Sequence, residues 1–373
     1  MKKLRFVLTK VLGMAALLGV GFAAGFGMSW LIGPTESEGS VLLRVLGMAA
    51  AAMAAALVQT VAHEAGHMVC GLATGYRFCS FRVGSWMLQR EGGRLGLRRM
   101  TLAGTGGQCL LAPPELKEGR MPWVLYNLGG VLANLLLSAA AAALLPLPLP
   151  WVLRCLLGMI LGMGLVFAVT NGVPMQLGGV DNDGANLRSL HRDPGAQRAL
   201  WVQLKIVEAQ SRGLRLREMP EEWFALQPGA ECGSGLGAAV AVLAANRLMD
   251  QHRLDQAAEW MDRLLEPDTA VEGIQRRMLW CDRVYCALLG DQSPEILAQW
   301  ETPEQKQFCR QMRSCPSVLR TQYAYALLAR GNEPGARAWA EEFDRAVRSW
   351  PYPGDVTSER ELMDLVRCRR RTD

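Results

Sequence analysis

The chain has 373 residues, room for two or three domains, and half of them are hydrophobic against 20% charged. Its net charge of +5 is modest and its basic residues form no single block, which excludes a nucleic-acid-binding footprint. Ten cysteines are scattered without a C-x-x-C pair, and Cys232, Cys281, Cys286, Cys309, Cys315 and Cys368 fall in the C-terminal half, as suits reduced thiols or small buried hydrophobes rather than a disulfide framework.

The average hides a split: residues 1–175 hold nearly all the long apolar runs, and residues 185–373 read as an ordinary charged helical protein. Lys2, Lys3 and Arg5 precede an apolar stretch from Phe6 to Ile32, broken only by Thr9, Lys10 and Ser29. About 20 residues cross a bilayer, so this stretch predicts a first span. The small residues Ala23-Ala24 make a cleaved signal peptide the rival, but the stretch is longer than a usual signal core. Pro34 to Ser40 carries Glu36 and Glu38 and no Lys or Arg, as suits a short external loop.

Val41 to Ala73 predicts a second span, rich in alanine and carrying His63-Glu64-Ala65-Gly66-His67. This is H-E-x-x-H, the spacing that puts two imidazoles one turn apart on one helix face, where both can reach one metal ion. Zinc suits such a pair, and a catalytic site adds a third protein ligand while keeping a position for water. Glu64 can take a proton from water without being a ligand. The bare pentapeptide is only moderately specific, but polar groups are costly inside an apolar span and mark function there. The other two of the four histidines, His191 and His252, have no paired ligand nearby and read as packing or surface residues.

Residues 76–121 are polar, with eight basic residues against the three acidic Glu91, Glu115 and Glu118, so the positive-inside rule places this segment in the cytoplasm. Phe78–Leu88 and Arg94–Leu102 alternate around Glu91-Gly92-Gly93 and predict a β-hairpin insertion at about 76–104. Gly104, Gly106, Gly107 and Pro113-Pro114 are expected to break regular structure. Trp123–Leu147 predicts a third span, Pro146, Pro148 and Pro150 an external turn, and Trp151–Val169 a fourth span. Four spans leave both termini in the cytoplasm.

Asn171-Gly172-Val173-Pro174 then ends a helix, because proline cannot continue it. Asn171, and Asn134 in the third span, either hold an extended substrate strand or bond between helices. Asp181, Asn182 and Asp183 either reach the metal or form a solvated turn and cap for a helix starting near Gly184.

An H-E-x-x-H in one span, with N-x-x-P and the Asp183-Gly184 pair after a later one, resembles the site-2 protease family of intramembrane zinc metalloproteases. Gly130-Val131-Leu132-Ala133-Asn134 is similar to that family's G-P-x-x-N, with Val131 in place of the proline, and Gly106-Gly107-Gln108-Cys109 before Pro113 resembles a stretch of some bacterial branches. The resemblance covers about residues 41–190. It implies a zinc site in which His63, His67 and Asp183 are ligands, Asp181 is the fallback ligand, and Glu64 is the general base. The chain departs from the family in the greater distance from Pro174 to Asp183, in the missing proline after Gly130, and in having no PDZ-like segment.

After Gly184 the sequence predicts amphipathic helices over 185–192, 195–211, 217–225, 235–249, 254–265, 271–289, 294–300, 303–313, 317–330, 334–348 and 358–370. Trp260, Trp300 and Trp339 recur in register after polar turns, 40 and then 39 residues apart, and Tyr323, Ala326, Leu327, Leu328, Gly331 and Ala336 resemble a tetratricopeptide-like helix pair. Such an array offers a surface for a protein or peptide partner, the plain alternative being a bundle that shields the site. The fold class expected is all-α: a four-span membrane bundle with a small β-hairpin insertion and a cytosolic TPR-like domain. Its parts are an anchor over 1–40, a core over 41–184 and the helical domain over 185–373. The function expected is a multi-pass membrane zinc protease cutting membrane-anchored substrates in or near their spans. The rival is a membrane adaptor whose peptidase core has decayed.

Overall fold

The computed structural model describes residues 38–91, 94–100, 106–177, 180–226, 229, 233–290 and 292–372. The expected first span (Phe6 to Ile32), Gly92-Gly93 and Gly178-Gly179 lie outside them. The described chain is mostly helical, with thirteen helices and a small antiparallel sheet, and divides into two compact units.

The first unit is built on α1 (Glu38–Ala73), α2 (Val124–Leu144) and α3 (Trp151–Gly172). All three are long and apolar enough to cross a membrane. They bury small or polar residues and expose large apolar ones: Ala55, Gln59, Asn134 and Ala141 are enclosed, while Leu43, Met53, Leu57, Leu136 and Val152 point outward. That inversion of a soluble core is what a hydrocarbon solvent demands. Helices α1 and α2 approach closely at Gly66 and Gly129, where a Cβ on either would run into the other's carbonyl oxygen. Each helix packs on the other two. Helix α1 stops at Ala73, and Gly75 turns the chain at φ +91°, which costs glycine nothing. Helix α3 runs past the expected Val169 to Gly172, two residues before Pro174.

The second unit opens with a four-stranded sheet: β1 (Arg77–Val83), β2 (Trp86–Glu91), β3 (Arg94–Arg99) and β4 (Gly107–Ala112), in the order β3-β2-β1-β4. The expected single hairpin is thus corrected in two places. Phe78–Leu88 is two strands, folded at Gly84 (φ +58°) with Val83 opposite Trp86. Gly107–Ala112, read as irregular because of its glycines, is a strand that pairs along β1. Both errors have one cause: glycine marks a tight two-residue turn as readily as a break, and only the pairing partner decides.

Short strands β5 (Gln176–Leu177) and β6 (Val180–Asp181) precede α4 (Asp183–Arg192) and α5 (Pro194–Ser211). The helical array that follows comprises α6 (Gly235–Asp250), α7 (Leu254–Leu264), α8 (Gly273–Leu289), α9 (Pro294–Trp300), α10 (Pro303–Gln311), α11 (Pro316–Ala324), α12 (Glu333–Ala346) and α13 (Pro353–Thr372). Helix α11 ends in a wider turn over Tyr325–Ala329, closed by the bond from Arg330 N to Tyr325 O. The expected helix over 217–225 is absent: Pro220, lacking an N–H, splits it into the short turns Leu216–Glu218 and Glu221–Trp223. Consecutive helices pair, α6 with α7, α8 with α9 and α11 with α12, around a core that includes Tyr285, Leu279, Leu319 and Phe343.

Two carboxyls on α13 make this array pH-sensitive. Burial pushes Asp355 up from 3.8 to about 6 and Glu359 from 4.5 to about 7. A folded-state pKa above the unfolded one stabilises at low pH and is lost as pH rises through the folded value. Unfolding of the intact protein in detergent, followed by far-ultraviolet circular dichroism, should therefore show a lower midpoint at pH 8 than at pH 5, the loss being about 4 kcal/mol for the two groups together. Glu301 and Glu361, held at about 2, change charge only well below this window. A midpoint that rises over the same interval would refute the assignment.

Candidate metal centre

His63, Glu64 and His67 are all buried on α1. Their setting is made by one stripe of α2, in which every fourth residue has a task. Tyr126 offers its carbonyl oxygen to His67 Nδ1 at 2.7 Å. Gly130 lies against both rings, so close that a Cβ there would stand 2.5 Å from His63 Cε1 and from His67 Nε2. Asn134 places Oδ1 2.8 Å from His63 Nδ1. The Asn134 amide is itself oriented, since Nδ2 donates to Gln59 O at 2.9 Å and to Gln59 Oε1, while Gln59 Nε2 donates to Ile160 O on α3. Three helices thus fix one imidazole.

These bonds settle the tautomers. A backbone carbonyl and an amide oxygen only accept, so both Nδ1 atoms carry the proton and both Nε2 atoms present lone pairs in the neutral rings. Those Nε2 atoms lie 3.1 Å apart, and Asp183 Oδ2 lies 3.2 Å from one and 3.3 Å from the other. The Asp183 carboxyl, ordinarily ionised at neutral pH, brings a negative charge to the same point. Three electron-rich atoms facing one point require a positive charge there. Around an ion with bonds of about 2.0–2.1 Å, tetrahedral ligands stand roughly 3.3 Å apart, which is the size of this triangle. The buried Oδ2 has no hydrogen-bond donor. Among the described residues this is the one group of three or more His, Cys, Asp or Glu donors close enough to hold a metal ion.

Asp183 is delivered by its neighbour Asn182, which sequence reasoning left as a turn residue. Asn182 Nδ2 donates to Thr170 O and Val173 O at the end of α3, both at 2.6 Å, and its Oδ1 accepts from Met175 N and, as the cap of α4, from Ala185 N. Gly184 is equally constrained, because a Cβ would run into Gly172 O. The sequence Asn182-Asp183-Gly184 is therefore a buried clamp rather than a solvated turn, and an Asn one residue before a helix was the available signal. The fallback ligand Asp181 is not part of the donor group.

The two asparagines expected near substrate part ways. Asn134 is fully enclosed and its donors and acceptor are all engaged, so its place is behind His63 and not against a substrate strand. Asn171 turns its amide back to Phe167 O in its own helix at 2.9 Å and is half-buried. Partners behind metal-binding histidines typically carry a tenfold to hundredfold effect on affinity. Asn134→Leu should accordingly weaken the binding of a divalent metal ion by about 10–100-fold in chelator competition, and an unchanged affinity would show that His63 needs no orienting bond.

Compared with known protein families, curated proteins and solved structures, the chain matches none.

Proposed function

We propose that this protein is an intramembrane zinc metalloprotease that hydrolyses peptide bonds in or near the transmembrane segments of membrane-anchored substrates. One observation carries the reading: the His63, His67 and Asp183 donor atoms form a triangle sized for one ion, at a helix carrying Glu64 beside His63. A divalent ion bound there would polarise a peptide carbonyl and acidify water. Glu64 takes the proton from the attacking water and returns it to the leaving amine. Asn134 and the Tyr126 carbonyl keep both imidazoles in the tautomer that leaves Nε2 free. Asn171 Oδ1 is available to an extended substrate segment. A membrane helix must unwind to present a peptide bond, so preferred substrates carry helix-breaking residues near the cut. The intact donor set with Glu64 favours the enzyme over a decayed adaptor.

Around this core we infer four spans with both termini in the cytoplasm, and a TPR-like domain built on the pairs α6–α7, α8–α9 and α11–α12, in which Trp260, Trp300 and Trp339 recur. The test is a comparison of membrane-peptide fragments in cells carrying the wild type or Glu64→Gln, with zinc measured in both purified proteins. Fragments that need Glu64, from proteins that both bind zinc, support the protease; identical fragment sets overturn it.

A further inference from the structure

The helical array holds a partly open cavity of about 330 Å³ among α5, α6, α8, α11 and α13. Four carboxylates line it, Asp250, Asp282, Asp355 and Glu359, with one guanidinium, Arg320. Three of the acids have cations on the chain. Asp250 is held by Arg215 Nη2 at 2.6 Å, Asp282 by Arg320, and Glu359 by Arg320 Nη1 at 2.9 Å. Asp355 differs: it accepts from the neutral amide of Gln210 at 2.8 Å, and no cation among the described residues pairs with it. Three further buried atoms on the lining lack hydrogen-bond partners, the donors Nε of Arg320, a residue only 1% exposed, and Nε1 of Trp350, and the acceptor Oδ1 of Asn246. Unpaired buried polar atoms of this kind are costly and point to a missing partner.

The shape of the lining decides what that partner is. Among the described residues no three of these carboxylates bring oxygen atoms close enough to share one metal ion, so a compact divalent cation is disfavoured. Val242, Leu243, Met278 and Met312 supply an apolar wall instead, which suits the methylene stem of an organic cation, with methionines that adapt to its path. A free polyamine has donors for Asp355 but no acceptor for Arg320 Nε. A polypeptide has both, because its backbone offers an N–H to Asn246 and a carbonyl to Arg320. We propose that this cavity binds a polypeptide segment through a lysine side chain, with the ammonium on Asp355 and the neighbouring backbone on Asn246 and Arg320. Burial raises Asp355, as expected where a countercharge comes from outside the chain. The inference does not depend on the metal centre.

The test is calorimetric titration of the intact protein in detergent with the blocked peptide acetyl-Ala-Leu-Lys-Leu-Ala-amide, its glutamine analogue, and spermidine. The lysine peptide should bind at least about tenfold more tightly than the glutamine peptide or spermidine, as a buried charge-assisted bond gives. Asp355→Asn should remove that preference, and Asp364→Asn, at an exposed acid, should not. Met278→Lys, which places the chain's own ammonium in the cavity, should abolish binding and serves if Asp355→Asn unfolds. Equal binding of the two peptides, no binding of either, or full binding by Asp355→Asn overturns the site, and tighter binding of spermidine overturns a polypeptide ligand.

Discussion

Glu64→Gln should lower peptide-bond cleavage by about 10²–10⁴-fold, the range of a positioned general base, and leave zinc stoichiometry unchanged. The amide keeps the size and burial of the carboxylate but cannot take a proton. Glu64 is outside the donor group formed by His63, His67 and Asp183, so its replacement removes no ligand. Its place in the chain, one residue after His63, sets it about 100° round α1 from that ligand. If the proposed function holds, His67→Ala should give the contrasting pattern, loss of cleavage together with loss of zinc. The measurement is cleavage of a membrane-anchored reporter in detergent alongside metal analysis of the same samples. If Glu64→Gln loses its zinc, Glu64 is a ligand; if it cleaves at the wild-type rate, the base lies elsewhere.

How much of this was legible in the sequence depends on whether a residue acts through its local pattern or through a distant contact. His63, Glu64 and His67 share one helical turn, so spacing alone put them together. The span limits around them followed from apolar length, with Val41–Ala73 and Trp151 both recovered. Most helices of the C-terminal half were read to within a few residues, because each has an amphipathic period or a Pro, Ser or Asn at its start. Asp183 was legible only through a resemblance. What places it is Asn182, whose bonds to Thr170 O and Val173 O depend on where α3 ends. Asn134 was singled out, with a bond between helices as one of its two readings, but its imidazole partner was not, since nothing local says that an asparagine in one span faces a histidine in another. Gln59 was missed altogether: as one polar residue in an alanine-rich run it carries no motif, and its role exists only once α1, α2 and α3 are packed. The strand Gly107–Ala112 was hidden for the same reason, its partner lying more than twenty residues earlier.

The packing of those three helices yields the second large effect. Gly130→Ala should weaken zinc binding by a hundredfold or more, about 2.7 kcal/mol, although alanine is the better helix former. The added methyl would sit 2.5 Å from His63 Cε1 and from His67 Nε2, and 2.6 Å from His63 Nδ1, inside any tolerable contact. Neither ring can swing away without breaking its bond to Asn134 Oδ1 or Tyr126 O, both of which belong to the same helix as the methyl. Nor can α2 retreat cheaply, since Gly129, the adjacent residue, already rests on the backbone of Gly66. The strain must therefore appear in the donor triangle itself, by displacement of one or both Nε2 atoms from the point they share with Asp183. Gly162→Ala on α3 is the control, because a Cβ there meets nothing within 4 Å and should leave affinity as it is. Chelator competition on both variants reads the difference directly. Wild-type affinity in Gly130→Ala would mean that α1 and α2 are free to part by about an ångström, and a centre that loose could not hold three donors at the separations that define it.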